Sequence, residues 1–340
     1  MKNWSLAVFA AALVVALPSS APAQNVDLTG AGATFPYPLY SKWFDAYATK
    51  TGVRINYQSI GSGGGIRQLS EQTVDFGASD SPMNDADLAK AKGGAVLHVP
   101  MVMGAVVITY NVAEATKPLH LTGDVIADIY LGKITKWNDP RIAVLNRGMA
   151  LPNGDILVVH RSDGSGTSFI FTDYLSAVSP AWSGGPGKGK EVQWPTGIGA
   201  KGNEGVAGQV SQMAGSIGYV ELAYAKQNKL SVAELQNAAG RFVAPSIASV
   251  TAAAAGVAAK LPKDTDYRLS IVNAPGKDAY PISSFTWLLV YRNMTDAAKA
   301  KKLNAFLRWA LKDGQTMAPA VDYAPLPGNM VKQLEKRIGK

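Results

Sequence analysis

The sequence predicts an α/β fold in two lobes, and three observations carry the prediction. Short apolar, β-prone runs are repeatedly followed by a Gly- or Ser-rich loop and then by apolar residues at helical spacing. The chain has 340 residues, and removing a leader of 23 leaves 317 (340 − 23), more than one hydrophobic core usually organises. Two long extended segments, Val96 to Tyr110 and Ile282 to Tyr291, are rich in β-formers and long enough to carry the chain from one lobe to the other and back.

The leader comes first. Met1 to Ala23 holds one Lys, an apolar run from Leu6 to Leu17, and Ala21-Pro22-Ala23 before Gln24. That pattern predicts a cleavable secretory signal peptide and a mature N-terminus at Gln24. Its apolar core falls short of the roughly 20 residues a membrane-spanning helix needs, and no later stretch is long enough, so the mature protein is expected to be exported and not membrane-embedded. The absence of cysteine rules out a disulfide framework, thiolate metal sites, a Cys nucleophile and a lipid anchor on an N-terminal Cys. The formal charge of +8, or +7 without Lys2, suits steering of an anion. Nucleic acid is not expected as a partner, because the densest basic cluster, Lys299, Lys301 and Lys302, lies in a helical pattern without interleaved aromatics and reads as a solvated face.

Val26 to Thr29 reads as a strand, followed by the loop Gly30-Ala31-Gly32-Ala33-Thr34-Phe35-Pro36 and a helix whose apolar face holds Leu39, Tyr40, Trp43, Phe44 and Tyr47. Gly52 closes that helix. Val53 to Tyr57 alternates as a strand, and Gly61-Ser62-Gly63-Gly64-Gly65 opens the next helix. Val74 to Asp80 is a short strand running into the polar turn Ser79-Asp80-Ser81-Pro82. After the first extended segment, Thr122 and Asp124 start a short helix. Ile156 to Val159 is a strand, leading to Arg161-Ser162-Asp163-Gly164-Ser165-Gly166-Thr167-Ser168 and a helix from Phe169 onward. Gly184 to Glu191 contains the phosphate-loop spacing G-x-x-x-x-G-K, but Glu191 replaces the required hydroxyl residue, Pro186 interrupts it and no strand precedes it, so it reads as a surface loop. Gly202 to Gly205 leads into a helix to Met213. Ser216 to Val220 reads as a strand, Leu222 to Asn228 and Thr251 to Lys260 as helices, and Asp296 caps a helix burying Leu303, Phe306, Leu307 and Ala310.

Three of these strand-to-helix junctions suit an anion: Thr34-Phe35, Ser62 to Gly65, and Ser165 to Thr167. The first turn of a helix leaves backbone N–H groups unpartnered at the positive end of the peptide dipoles. Ser165 and Thr167 add hydroxyl donors, and Arg161 offers a planar fork of donors for two oxygens, with Asp163 placed to orient it. Taken alone, each loop is also explained by a turn and an N-cap. Asp80, a carboxylate at a strand end, is the odd member, because it repels an anion unless the anion brings a proton to donate. Phosphate keeps a proton at neutral pH; sulfate does not.

Gly30 to Pro36, Asp75 to Asp80 and Asp163 to Ser168 strongly resemble the periplasmic phosphate-binding proteins of ABC phosphate importers, and Ile129 to Ile134, Gly215 to Tyr224 and Asp322-Tyr323-Ala324 are similar to that family too. The resemblance runs from about Leu28 to Pro327. It implies a type II periplasmic binding protein: two α/β lobes, hinge-bending, with the ligand in the interlobe cleft. The implied division is a signal peptide at 1–23, a first lobe built from 24–104 and 283–340, and a second lobe at 105–282. Implied phosphate contacts are Thr34, Phe35, Ser62, Asp80, Arg161, Ser165, Gly166 and Thr167, with Asp163 supporting Arg161. Gly63 stands where relatives often carry a second Ser. The implied partners are inorganic phosphate and the permease subunits of an ABC importer with ATPase subunits behind them, for a monomer in the periplasm without cofactor.

An enzyme is not expected. His98, His120 and His160 lie far apart and outside any ligand spacing, so no metal site is expected, and neither Ser62 nor Ser165 stands in G-x-S-x-G. An exported phosphate-ester hydrolase, another oxyanion-binding protein and an exported scaffold are the alternatives. Only the last leaves the three loops and Asp80 without a use.

Overall fold

The computed structural model describes residues 27–258, 262 and 265–338. The leader, its cleavage before Gln24 and the end of the expected helix at Lys260 lie outside those residues. The described residues contain twelve strands: β1 (Leu28–Gly32), β2 (Ile55–Ser59), β3 (Phe76–Ser79), β4 (Val96–Tyr110), β5 (His120–Leu121), β6 (Leu157–Arg161), β7 (Ile198–Ala200), β8 (Ser216–Glu221), β9 (Ser231–Val232), β10 (Glu234–Gln236), β11 (Phe242–Val243) and β12 (Ser283–Tyr291). Eight of them run in the order β2-β1-β3-β12-β4-β8-β6-β7, with β9 also on β4, and β11-β10-β5 form a small separate sheet.

β4 joins the two halves. Its first part, Val96 to Ala105, pairs antiparallel with β12, and its second part, Val106 to Tyr110, pairs with β8. One strand therefore belongs to both lobes, with the change of partner between Ala105 and Val106. The first lobe is the parallel set β2-β1-β3 closed by β12; the second is β8-β6-β7, also parallel between β8 and β6 and between β6 and β7. Parallel neighbours require crossover helices, which is why a strand, loop, helix sequence repeats along the chain.

Each lobe has its own aromatic core. In the first, Phe44 packs against Tyr40, Tyr57, Phe76 and Phe306 with ring centroids 5.5–6.3 Å apart. In the second, Phe171 stacks on Tyr219 at 4.3 Å and meets Tyr130 edge-on at 4.8 Å. The helix Tyr37–Thr51 ends as its sequence implies, with Gly52 left-handed at φ 79° and its N–H on the Ala48 carbonyl.

The helix read from Thr251 begins earlier, at Ile247. The Lys-rich face of the helix Ala297–Lys312 is more than a solvated surface. Lys299 reaches Asp75 at 2.9 Å and Lys302 reaches Asp27 at 2.5 Å, tying this helix to the N-terminal segment of the first lobe. Spacing within one helix cannot show partners more than two hundred residues away.

Candidate functional site

The three loops read from the sequence meet at the carboxyl ends of β1, β2 and β6, where open α/β sheets place their ligands. The helix Ser62–Ser70 follows β2, the helix Gly166–Val178 follows β6, and Thr34-Phe35 precede the helix Tyr37–Thr51. Asp80 follows β3, so both lobes face one point. Thr34, Phe35, Ser62, Asp80, Arg161, Ser165 and Thr167 are all buried, each 3 % exposed or less.

The lobes touch through backbone here. The Gly63 N–H donates to the Gly164 carbonyl at 2.7 Å, and a Cβ at Gly63 would lie 3.1 Å from Gly164 Cα. A side chain at Gly63 would crowd Gly164 where the two loops meet. Gly166 is tighter still. A Cβ there would stand 2.3 Å from Ser62 Oγ and 2.5 Å from Asp80 Oδ2, both on the opposite lobe.

Arg161 is held as a fork. Its Nε and Nη2 donate to Asp163 Oδ1 and Oδ2 at 2.7 and 2.5 Å, leaving Nη1 directed at Thr167 Oγ1, 3.4 Å away. Burial pushes the Asp163 carboxyl up, but the Arg161 hydrogen bonds and charge outweigh it, with help from the Gly202 N–H at 3.1 Å, so it sits below the usual carboxylate range. Asp163 is therefore the anionic brace of a cationic fork. Ser165 spends its oxygen as an N-cap on the Ser168 N–H at 2.9 Å, leaving its own hydrogen to donate.

Asp80 is the opposite case. Its Oδ1 accepts from Thr286 Oγ1 at 2.7 Å, and its backbone N–H donates to Ser62 Oγ at 3.1 Å. Burial pushes its pKa up to about 7, against the lowering effects of Thr286, the Arg161 charge and Ser62. A carboxyl poised there can be an acceptor or, once protonated, a donor.

Four contributors were not read from the sequence: Asn203, Tyr224, Tyr323 and Thr286. Asn203 Nδ2 bridges Thr34 Oγ1 and Thr167 Oγ1 at 2.7 and 3.0 Å. Tyr224 donates to the Thr34 carbonyl at 2.7 Å, the carbonyl of the peptide that carries the Phe35 N–H, and Tyr323 donates to the Phe35 carbonyl at 2.6 Å. Tyr224 thus fixes the tilt of the peptide that presents the Phe35 N–H, and Tyr323 fixes the next peptide, Phe35–Pro36, which carries no N–H of its own. Thr286 stands at the register shift between β12 and β4, a place where an irregular strand re-aims a side chain. Gly202 to Gly205 and Asp322 to Ala324 were visible as motifs, but nothing local in them points at Thr34 or Phe35. The loop Gly184–Glu191, read as free surface, instead supplies the Lys190 carbonyl to the Ser165 N–H at 3.0 Å, and Lys190 Nζ reaches Asp87 of the other lobe at 3.0 Å.

Two α/β lobes that share β4, with convergent donors at their facing strand ends, define a two-lobed solute-binding protein, and residues 18–313 match the PBP superfamily domain. The phosphate-binding protein PstS of Xylella fastidiosa (strain Temecula1) is 49 % identical over 320 residues, covering 94 % of this chain and 86 % of that one. PstS of Haemophilus influenzae is 47 % identical, covering 93 % of both. The chain belongs to the PstS family of phosphate-binding proteins. The solved phosphate-binding protein of Stenotrophomonas maltophilia superimposes with a TM-score of 0.71 over 91 % of this chain and 93 % of its own, at 22 % identity, and shows the same fold. Among the described residues no helix is long and apolar enough to cross a membrane.

Proposed function

We propose that the chain captures inorganic phosphate between its lobes and delivers it to the permease of an ABC phosphate importer, without turning it over. The observation that carries this reading is the donor and acceptor count at the cleft. Backbone N–H groups and hydroxyls at three helix entries and one braced guanidinium face a single carboxyl, Asp80. That set complements an oxyanion that is rich in acceptors and carries one proton. The proposed contacts are Thr34, Phe35, Ser62, Asp80, Arg161, Ser165, Gly166 and Thr167, with Asp163 behind Arg161. A monomer working in the periplasm fits the leader and the family.

The lobes in this reading divide at 104/105 and 282/283, supported by the change of β4 partner at Ala105/Val106 and by β12 beginning at Ser283. A ligand held by both lobes favours the closed arrangement in proportion to its differential affinity. Small-angle scattering is expected to show a smaller radius of gyration with phosphate than without; identical profiles would contradict hinge closure.

Gly166→Ala tests the cleft without touching a donor. The added methyl is expected to hold Ser62 and Asp80 off and cost about fivefold or more in phosphate affinity, from overpacking of about 1–3 kcal/mol. The phosphate-free melting temperature should change little, because open lobes relieve the contact. Unchanged affinity in calorimetry would remove Gly166 from the site.

A further inference from the structure

The Thr34 and Thr167 hydroxyls belong to two segments far apart in the chain, and one side chain meets both. Asn203, fully buried at the start of the helix Gly202–Gln212, places Nδ2 at 2.7 Å from Thr34 Oγ1 and 3.0 Å from Thr167 Oγ1. Its amide cannot be turned round. Asn203 Oδ1 faces the backbone N of Glu221 at 2.8 Å, and a backbone N–H only donates, so the atom there must be the oxygen and both amide hydrogens point at the threonines.

A hydroxyl has two lone pairs and one hydrogen. At Thr34 Oγ1 the lone pairs face Asn203 Nδ2 and the Asn203 backbone N, the latter at 3.3 Å. At Thr167 Oγ1 they face Asn203 Nδ2 and Arg161 Nη1, the latter at 3.4 Å. Among the described residues neither hydroxyl has a protein acceptor for its own hydrogen. With the accepting side of each oxygen filled, the only capacity left is to donate.

We propose that Asn203 is the positioning residue that makes the Thr34 and Thr167 hydroxyls obligate donors toward the bound anion. Without it, each hydroxyl is free to turn and to accept, which an oxyanion does not reward. The bridge also spans the two lobes, so the donor polarity is set only as the cleft closes. Open lobes leave Thr34 unprogrammed; closed lobes turn it outward to the ligand. The inference rests on the phosphate reading above and deepens it.

The test is a pair of double-mutant cycles read by phosphate calorimetry, with proton NMR of the complex. Asn203→Ala is expected to lower phosphate affinity by about tenfold or more, the cost of leaving buried partners unset. In Thr34→Val or Thr167→Val backgrounds the same substitution is expected to cost at least about threefold less, because the hydroxyl it acts on is gone. In the parent complex the two threonine hydroxyl protons should be slowly exchanging and scalar-coupled to phosphorus, and Asn203→Ala should lose that coupling. A merely structural bridge would leave the coupling in place. Should Asn203→Ala fail to fold, Asn203→Leu, close in volume and without donors, replaces it in both cycles. Equal losses in all backgrounds, no loss in the parent background, or hydroxyl coupling that survives without Asn203 would overturn the proposal. If the parent protein itself does not bind phosphate, it is the proposed function that fails.

Discussion

Asp80→Asn is expected to keep binding phosphate while admitting sulfate as a measurable competitor. In a buried cleft, Asp80 as a carboxylate faces the ligand with acceptors only, Thr286 having filled one side of it. Phosphate can answer with a proton; sulfate meets acceptor against acceptor. A site built around a required ligand hydroxyl rejects analogues lacking it by roughly 10⁴-fold or more. An amide at this position offers both an oxygen and two hydrogens, so it serves either anion. Competition calorimetry checks the result, and continued exclusion of sulfate by a folded Asp80→Asn would leave Asp80 as a turn residue only. A pH dependence follows for the parent. Burial holds the Asp80 pKa up at about 7, so the proton is gained as pH falls through that value and lost above it. Sulfate competition should therefore strengthen as the pH is lowered below about 7 and fade above it, and Asp80→Asn should show no such dependence.

Arg161→Ala is expected to cost about 2 kcal/mol or more in phosphate affinity, roughly thirtyfold, the scale of a charge-assisted pair in a site shielded from water. The loss has two parts. The guanidinium is buried and held at two points by Asp163, so its orientation needs no ordering when the anion arrives. Its removal also leaves the Asp163 carboxylate, still held by the Gly202 N–H, beside an anion with nothing between them. Arg161→Lys should fall between parent and alanine, since an ammonium keeps the charge but cannot span both Asp163 oxygens and still face the ligand. Binding by Arg161→Ala equal to the parent would place Arg161 outside the cleft.

The residues that were legible in the sequence are those whose task is local. Ser62, Ser165 and Thr167 sit at helix entries, Gly52 at a helix end, and Arg161 two residues before its own brace, all at spacings that chemistry fixes within a few positions. β4 and β12 stood out because a strand buried on both faces reads as a continuous apolar run. Asn203, Tyr224, Tyr323 and Thr286 did not, since their partners lie 169, 190, 288 and 206 residues away in the chain. Nothing in Gly202-Asn203-Glu204 distinguishes an amide that programs two hydroxyls from a helix entry. The same distance hid the work of Lys299 and Lys302, whose helical spacing described a face but not the Asp75 and Asp27 carboxylates across from it.

Titrating inorganic phosphate into protein stripped of ligand by unfolding and refolding tests the central claim most directly. The account predicts a saturable heat with a stoichiometry of about one phosphate per chain, no heat from sulfate at about pH 9, well above the Asp80 pKa of about 7, and phosphate recovered unchanged. Absence of phosphate binding by a folded, ligand-free chain, or equal binding of sulfate, would contradict it.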